Sequence, residues 1–465
     1  MGIKLKFLGA VREVTGSNHL ITTENSKVII DCGLFQGRRQ DFFEKNSTFD
    51  FVPGELDACI LSHAHIDHSG NIPNLVKQGF AGRIVATDPT RDLCSAMLPD
   101  SGYIQESDAE YVSKLHKKRG LPPVKPIYTK EEAEESLEFF TGHPYNQRVN
   151  VTDDIDVTFY DAGHVLGSAT PLIEIGEDDN NVKLAYAVDL GRKNIPILND
   201  PEQPPEIDWL ILESTYGGRV HDPIETGKEK LAACVSRTVK RGGKIIIPSF
   251  ALERTQEIVY FLSQLRRENR LPDIPVIIDS PLATKVTEIF SHHPQVYDEE
   301  MYRSFNSGED PLGTINFEYV KDVVRSKELN SDDRPMIIIS ASGMCEAGRI
   351  LHHLKNNIGD PRNTVLIVGY MARNTLGRKL VERQPVVKIF GEEYSLKAEV
   401  EIMNAFSSHA DRNDLLEYVK PLKGRIKGIF LVHGEEEQSR ALFNTLIEAG
   451  YPVHMPEPGE EVEID

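Results

Sequence analysis

Over the first 62 residues apolar and polar positions alternate in short runs, as in IKLKFLGAV (3–11) and SNHLITTENSKVIIDCG (17–33). Alternation with a period of two predicts half-buried β-strands, and the polar TENSK between two such runs predicts a hairpin turn. LDACILSH (56–63) reads as a buried strand, after which SGNIPNLVKQG (69–79) changes to helical spacing, with Pro73 tolerated in an early turn. A polar, helical stretch covers roughly 90–143. Strands return with IDVTFYDAGHV (155–165), ATPLIEIG (169–176), VKLAYAVDLG (182–191) and DWLILEST (208–215).

Near residue 217 the texture changes to helices alternating with wholly apolar runs: GGKIIIPSFA, PVIIDSP, PMIIISASG and NTVLIVGY. Unbroken apolar strands predict a parallel sheet covered by helices on both faces, hence a separate α/β domain. After about residue 395 come EIMNAFSSHAD, a helix at RNDLLEYVK, a strand in IKGIFLVHGEEE and a last helix near QSRALFNTLIEAG. Ligand-type residues reappear in this tail, so it is expected to fold back onto the first part of the chain.

The 465 residues exceed one ordinary core and suffice for two or three domains. A composition 40% hydrophobic and 27% charged fits a globular chain, and no apolar run reaches the ~20 residues a bilayer span needs. MGIKLKFLGAV enters a strand directly, with no signal-peptide h-region and no Ser or Thr at position 6 for a myristoylation motif, so a cytoplasmic location and no membrane partner are expected. Cys32, Cys59, Cys94, Cys234 and Cys345 are far apart, odd in number and without a CxxC pair, which predicts reduced, buried thiols. The net charge of −20 opposes non-specific attraction to polyanions, so any nucleic-acid substrate must be held by local cations or bound metal.

The chemistry concentrates in ILSHAHIDHSG (60–70), which packs three histidines and an aspartate into six residues. His63 and His65 are expected to leave the strand on one side, with Asp67 and His68 in the adjoining turn. Imidazole and carboxylate suit zinc, and four such groups can serve two neighbouring cations. Asp31, His164, Asp189 and His433 also sit at strand ends or turns, where rigid scaffolds place functional groups.

SHAHIDHSG, AGHVLGSA and VDLGR, preceded by IIDCGLFQG, resemble the metallo-β-lactamase superfamily. LESTYGGR, PSFALERTQE, SASGM, GRILHHL, VGYMARNTLGRKL, FSSHAD and VHGE resemble, more narrowly, the β-CASP nucleases, nearest the branch with the endonuclease subunit of the cleavage and polyadenylation specificity factor. The resemblance implies an α/β fold: a metallo-β-lactamase αββα sandwich from residues 1–212 and 395–465, with a mostly parallel β-CASP domain inserted at 213–394. It assigns His63, His65 and His164 to one zinc, Asp67, His68 and His433 to the other, and Asp189 to both. Mn²⁺ is the alternative occupant. Asp31 would orient a ligand histidine or the hydroxide, and Glu213 would steady the catalytic imidazole of His409, so His409, Glu213, Asp31 and Asp67 form the catalytic set. Two departures are Val188, where many relatives have Gly, and Ser408, where Ala is common; both leave the ligands in place.

What the resemblance implies is a zinc-dependent ribonuclease, an endonuclease with 5′–3′ exonuclease action left open, that yields a 5′-phosphate and a 3′-hydroxyl. DNA-directed relatives typically carry Val where this chain has His433, which favours single-stranded RNA. Ser340, Ser342 and Gly343 precede a helix-like segment whose amides could hold phosphate, as could Thr375, Gly377 and Arg378. Arg254 and the basic Lys114, Lys117, Lys118 and Arg119 could touch the RNA backbone, and Tyr370 could stack on a base. His292 with His293, and His352 with His353, are adjacent and cannot converge on one metal from a helix. A homodimer is compatible with this picture. Two other readings stay open: a small-molecule hydrolase such as a glyoxalase II-like thioesterase, and a non-catalytic RNA-binding subunit.

Overall fold

The computed structural model describes residues 2–37, 39–176, 181–369, 371–372 and 374–465. It divides into two compact units. The first comprises Met1–Asn194, Asp200–Val220 and His409–Asp465; the second comprises Ile195–Asn199 and His221–Ser408.

Strands are numbered along the chain. In the first unit, β1 (Ile3–Gly9), β2 (Asn18–Thr22), β3 (Lys27–Ile30), β4 (Ala58–Ile60), β5 (Arg83–Thr87) and β6 (Phe140–His143) are joined by β22 (Glu461–Ile464) in a seven-stranded sheet ordered β22-β1-β2-β3-β4-β5-β6. A second seven-stranded sheet contains β7 (Arg148–Thr152), β8 (Ile155–Asp161), β9 (Ala169–Ile175), β10 (Val182–Ala187), β11 (Trp209–Glu213), β20 (Gly428–Val432) and β21 (Val453–His454), ordered β21-β20-β11-β10-β9-β8-β7. Alternate residues of the two sheets, among them Leu5, Phe7, Ile21, Phe159, Ile173 and Tyr186, interlock in a shared core. Burying each such side chain contributes roughly 1.5–3 kcal/mol. The helix Asp88–Lys118 covers the first sheet, while Arg412–Val419 and Glu436–Glu448 bury Leu415, Leu442 and Leu446 on the outer face of the second. This is the expected αββα sandwich.

In the second unit, β12 (Ile245–Pro248), β13 (Val276–Ile278), β14 (Glu318–Tyr319), β15 (Ile337–Ser340), β16 (Thr364–Ile367) and β19 (Glu399–Ile402) form a six-stranded sheet ordered β14-β13-β15-β12-β16-β19. Every pairing in it is parallel, as the wholly apolar runs required. A hairpin of β17 (Val386–Ile389) and β18 (Glu392–Ser395) stands apart from it.

The chain crosses between units later than the 212/213 and 394/395 seams read from the sequence. Ser214 donates to Val432 O (2.8 Å) and Gly218 N to Gln438 Oε1 (3.1 Å), which keeps this stretch in the first unit. β19 extends the parallel sheet beside β16, so residues 399–402 stay in the second. The stretch read as helical to residue 143 ends instead in β6, which pairs with β5. All five cysteines are free and buried, and no helix among the described residues is long and apolar enough to cross a membrane.

Candidate metal centre

Three chemistry-bearing residues follow directly on strands and turn left-handed: Asp31 after β3 (φ 58°), Asp189 just beyond β10 (φ 45°) and His433 after β20 (φ 48°). For a non-glycine residue this backbone costs roughly 1–2 kcal/mol, a strain that clusters at functional sites. Neighbouring glycines permit the crowding that results. A Cβ at Gly33 would lie 1.6 Å from Asp67 O, and one at Gly191 would lie 1.9 Å from Gly163 O. His63 and His65 occupy the loop after the three-residue β4, and His65 is the N-cap of the short helix Ile66–Ser69 that carries Asp67 and His68. The His164 turn is closed by Ser168, whose Oγ accepts from the His164 and Val165 amides.

Two arcs of ligand atoms result, His63, His65, His164 and Asp189 in one, Asp67, His68 and His433 in the other, the atoms within each lying within 4.8 Å of one another. His65 Nδ1 is 3.1 Å from His63 Nε2 and 3.3 Å from His164 Nε2. His68 Nε2 is 3.2 Å from His433 Nε2, and Asp67 Oδ2 is 3.7 Å from the same nitrogen. Asp189 Oδ2 lies 3.5 Å from His63, His164 and His68 Nε2 alike, so it faces both arcs, while its Oδ1 is 3.0 Å from His433 Nδ1.

These contacts fit a metal rather than a hydrogen-bond network. Three imidazole nitrogens meet around His65 Nδ1, where one proton satisfies at most one pair and leaves a lone pair opposed to another. Asp189 Oδ1 is buried with no aligned hydrogen-bond donor. Nitrogen and carboxylate oxygen, with no sulfur, are donors that zinc and manganese accept.

The electrostatics split the cluster. Burial lowers the His63 imidazole, holds His65 at about 3 and drives His164 well below its ordinary value, leaving their nitrogens free to ligate. Burial acts on His68 and His433 too, but there the neighbouring carboxylates outweigh it: Asp189 and Asp31 lift His68 well up, and Asp189 and Asp67 lift His433 to about 10. At 3.2 Å the Nε2 atoms of His68 and His433 have room for one proton between them, which the carboxylates favour. Metal loading must displace that proton, so affinity rises with pH.

Asp31 holds His68 in place. Its Oδ2 accepts from His68 Nδ1 (2.6 Å), Ser62 Oγ (2.8 Å) and Tyr186 OH (2.9 Å), and its Oδ1 accepts from the Ser62 amide (2.8 Å). The imidazole thereby keeps its hydrogen on Nδ1 and turns the Nε2 lone pair toward the arc. Asp31→Asn is expected to lower metal affinity about 10–100-fold while the fold persists, as read by competition against a chromogenic chelator and by circular dichroism.

His409 stands beside the cluster. It bridges Gly191 in antiparallel fashion, and Ala410 N donates to Leu190 O (2.8 Å), which ties it to the segment just after Asp189. Its Nδ1 lies 3.3 Å from Glu213 Oε2 and 4.0 Å from Asp189 Oδ1. The Glu213 contact is an ion-pair distance rather than an aligned hydrogen bond, since neither atom has a partner in hydrogen-bond geometry. Glu213 itself is fully buried and accepts from the Leu190 amide through Oε1 (2.5 Å). Burial depresses the His409 imidazole, but Asp189 and Glu213 reverse this and raise it above its ordinary value. Its side chain keeps 23% exposure, so a substrate can reach it.

The expected RNA contacts are placed less uniformly. Arg254 is buried and pairs with Glu257, and Ser340 is buried with its hydroxyl on Asp279 O (2.8 Å); both are corrected from surface contacts to internal supports. Asp279 is the centre of that support. It accepts from His353 Nε2, Ser326 Oγ and Arg349, each at 2.6 Å. Ser342 Oγ caps the Glu346 and Ala347 amides, and Gly343 is buried against Phe250. Thr375 caps the helix Leu376–Val381 by accepting from Arg378 N, while the Leu376 amide goes to Glu346 Oε1 (2.6 Å). Arg378 is exposed and pairs with Glu382. Tyr370 lies outside the described residues. Neither adjacent histidine pair joins a metal cluster among the described residues. The buried Asp279 group escaped the sequence reading, since nothing local marks His353 as its partner.

Family models match along the chain: "Metallo-beta-lactamase superfamily" over residues 11–172, "Beta-Casp domain" over 255–380 and "Zn-dependent metallo-hydrolase RNA specificity domain" over 393–456. The chain belongs to the β-CASP family of metallo-β-lactamase-fold ribonucleases, which are metal-dependent hydrolases. Among its relatives, ribonuclease TTHA0252 of Thermus thermophilus is 36% identical over 456 residues, covering 98% of this chain and 99% of that one. Transcription termination factor FttA of Methanosarcina mazei is 30% identical over 450 residues, covering 94% of this chain and 67% of the longer relative. A solved protein of unknown function from Enterococcus faecalis V583 aligns over the whole of both chains with a TM-score of 0.55 at 13% identity, a likeness of fold alone.

Proposed function

We propose that this chain hydrolyses phosphodiester bonds of single-stranded RNA with a pair of zinc ions, Mn²⁺ being able to replace them. The observation that carries the reading is Asp189, whose Oδ2 lies 3.5 Å from imidazoles of both arcs. His63, His65 and His164 would hold one ion, Asp67, His68 and His433 the other, and Asp189 both. Bound there, the ions supply a nucleophile from water at neutral pH and neutralise phosphate charge.

The remaining chemistry belongs to side chains. A departing 3′ oxygen needs a proton, and His409, with the Glu213 carboxylate 3.3 Å from its Nδ1 to favour its charge, is the group placed to give one. With Nδ1 facing Glu213, Nε2 is the nitrogen that delivers it. Asp31 positions His68 and touches neither substrate nor metal. The products are a 5′-phosphate and a 3′-hydroxyl. Ser342, Thr375 and Arg378 remain the candidates for phosphate contacts in the second unit. The names of the ribonuclease and termination-factor relatives favour RNA over a small thioester, and the complete ligand set favours catalysis over a scaffold role. A cytoplasmic setting and a homodimer are compatible with this reading.

The test is incubation of the zinc-loaded protein with 3′-labelled single-stranded RNA, with and without chelator. Fragments bearing 5′-phosphate, absent when metal is removed, are expected. Intact RNA in both lanes alongside turnover of a thioester would overturn the reading.

A further inference from the structure

The helix Asp88–Lys118 carries a surface that the catalytic reading leaves unused. Its start is fixed beside the His164 turn, where the Thr87 and Thr90 hydroxyls donate to Gly167 O at 2.7 and 2.8 Å. Its 31 residues, at a rise of 1.5 Å each, put the far end about 45 Å away. Gly102, Ala109 and Val112 are buried on its inner side. The outer side exposes Tyr103 (60%) and Tyr111 (57%), together with Ile104 and Leu115. At 3.6 residues per turn, Tyr103, Lys114, Lys118 and Tyr111 share a stripe about 80° wide. The two tyrosines are two turns apart, about 12 Å along the axis.

Cations gather at the same end. Residues 111–125 contain Lys114, Lys117, Lys118, Arg119 and Lys125 and no acidic residue, in a chain with 72 acidic and 52 basic side chains. Lys114 pairs with Glu110 (2.7 Å); the other four are exposed and form no ion pair among the described residues. A helix C-terminus favours cations, which explains some of these charges but not the exposed tyrosines beside them.

We infer that this stripe is an accessory site for single-stranded RNA, with Tyr103 and Tyr111 stacking on bases and Lys114, Lys117, Lys118 and Arg119 meeting phosphates. The choice of RNA as occupant rests on the proposed ribonuclease reading and on charge complementarity. At 3.4 Å per stacked nucleotide a 4-mer spans about 14 Å and cannot occupy both the metal centre and the stripe, whereas a 20-mer can.

The test is fluorescence anisotropy of fluorescein-labelled oligo(U) 20-mer and 4-mer with the full-length, chelator-treated chain, at 50 and 200 mM salt. Tyr103→Ser with Tyr111→Ser should weaken 20-mer binding about tenfold or more, and weaken the 4-mer too, since about 14 Å of strand spans the 12 Å between the tyrosines. Lys117→Gln, Lys118→Gln and Arg119→Gln together should reduce the slope of log K against log salt by about 2. All five positions are exposed, so light scattering and circular dichroism should match the parent chain. Unchanged 20-mer affinity in both variants, no 20-mer binding by the parent, or an altered oligomeric mass would each overturn the inference. Cleavage assays on the parent judge the ribonuclease reading separately.

Discussion

Asp189→Ala is expected to lose bound metal and RNA cleavage together, with activity falling by at least about 10³-fold, because the lost group is the proposed shared ligand and even outer-shell partners cost 10–100-fold. Asp189 is the carboxylate within 3.5 Å of His63, His164 and His68, and it is buried. Without it, the two arcs lose the negative charge that would offset the proposed pair of cations. Its left-handed backbone (φ 45°) makes alanine a mildly strained replacement, so Asp189→Asn is the companion variant: asparagine tolerates that conformation and removes only the charge. Metal analysis by mass spectrometry and a gel assay read both effects. Full metal content and normal cleavage in either variant would remove Asp189 from the role assigned here.

His409→Ala is expected to separate metal binding from catalysis. Its imidazole lies outside both ligand arcs, so metal content should stay at the parent level. RNA cleavage should fall about 10²–10⁴-fold, the range general acids contribute. The loss should shrink on a phosphodiester with a nitrophenolate leaving group, which departs without a proton. The pH profile should change as well. Glu213 Oε2, 3.3 Å from His409 Nδ1, favours the charged imidazole, and the proton-delivering form in the parent chain is lost as pH rises through the His409 value. That alkaline limb should vanish in His409→Ala. Equal losses on both substrates with the limb intact would refute the acid role.

Much of this arrangement was readable in one dimension, for physical reasons. A strand buried on both faces must be apolar throughout, so IIIP, VII, IIIS and TVLI announced a parallel sheet before any contact was known. Ligand residues at strand ends stood out because Asp31, Asp189 and His433 each interrupt an apolar run. Short or polar strands did not stand out. Phe140–His143 has one buried residue in four and owes its existence to β5 beside it. The same limit misplaced Arg254 and Ser340, whose burial is decided by Glu257 and Asp279, partners that no spacing rule connects to them. The Glu213 to His409 geometry, 3.3 Å but unaligned, is likewise a product of packing around Leu190 rather than of motif.

The antiparallel pairing of β1 with β22, Lys4 opposite Glu463, and the insertion of β20 between β11 and β21 have a consequence for biosynthesis. A growing polypeptide that has not passed Val432 lacks an inner strand of one sheet and also His433, so it cannot assemble the reaction centre. Contacts spanning hundreds of residues also form late, since closing so long a loop is entropically costly. Chains that stop short of His433 should therefore be inert toward RNA, and hydrolytic power should switch on only once β20 and His433 have been made and have joined the sheet.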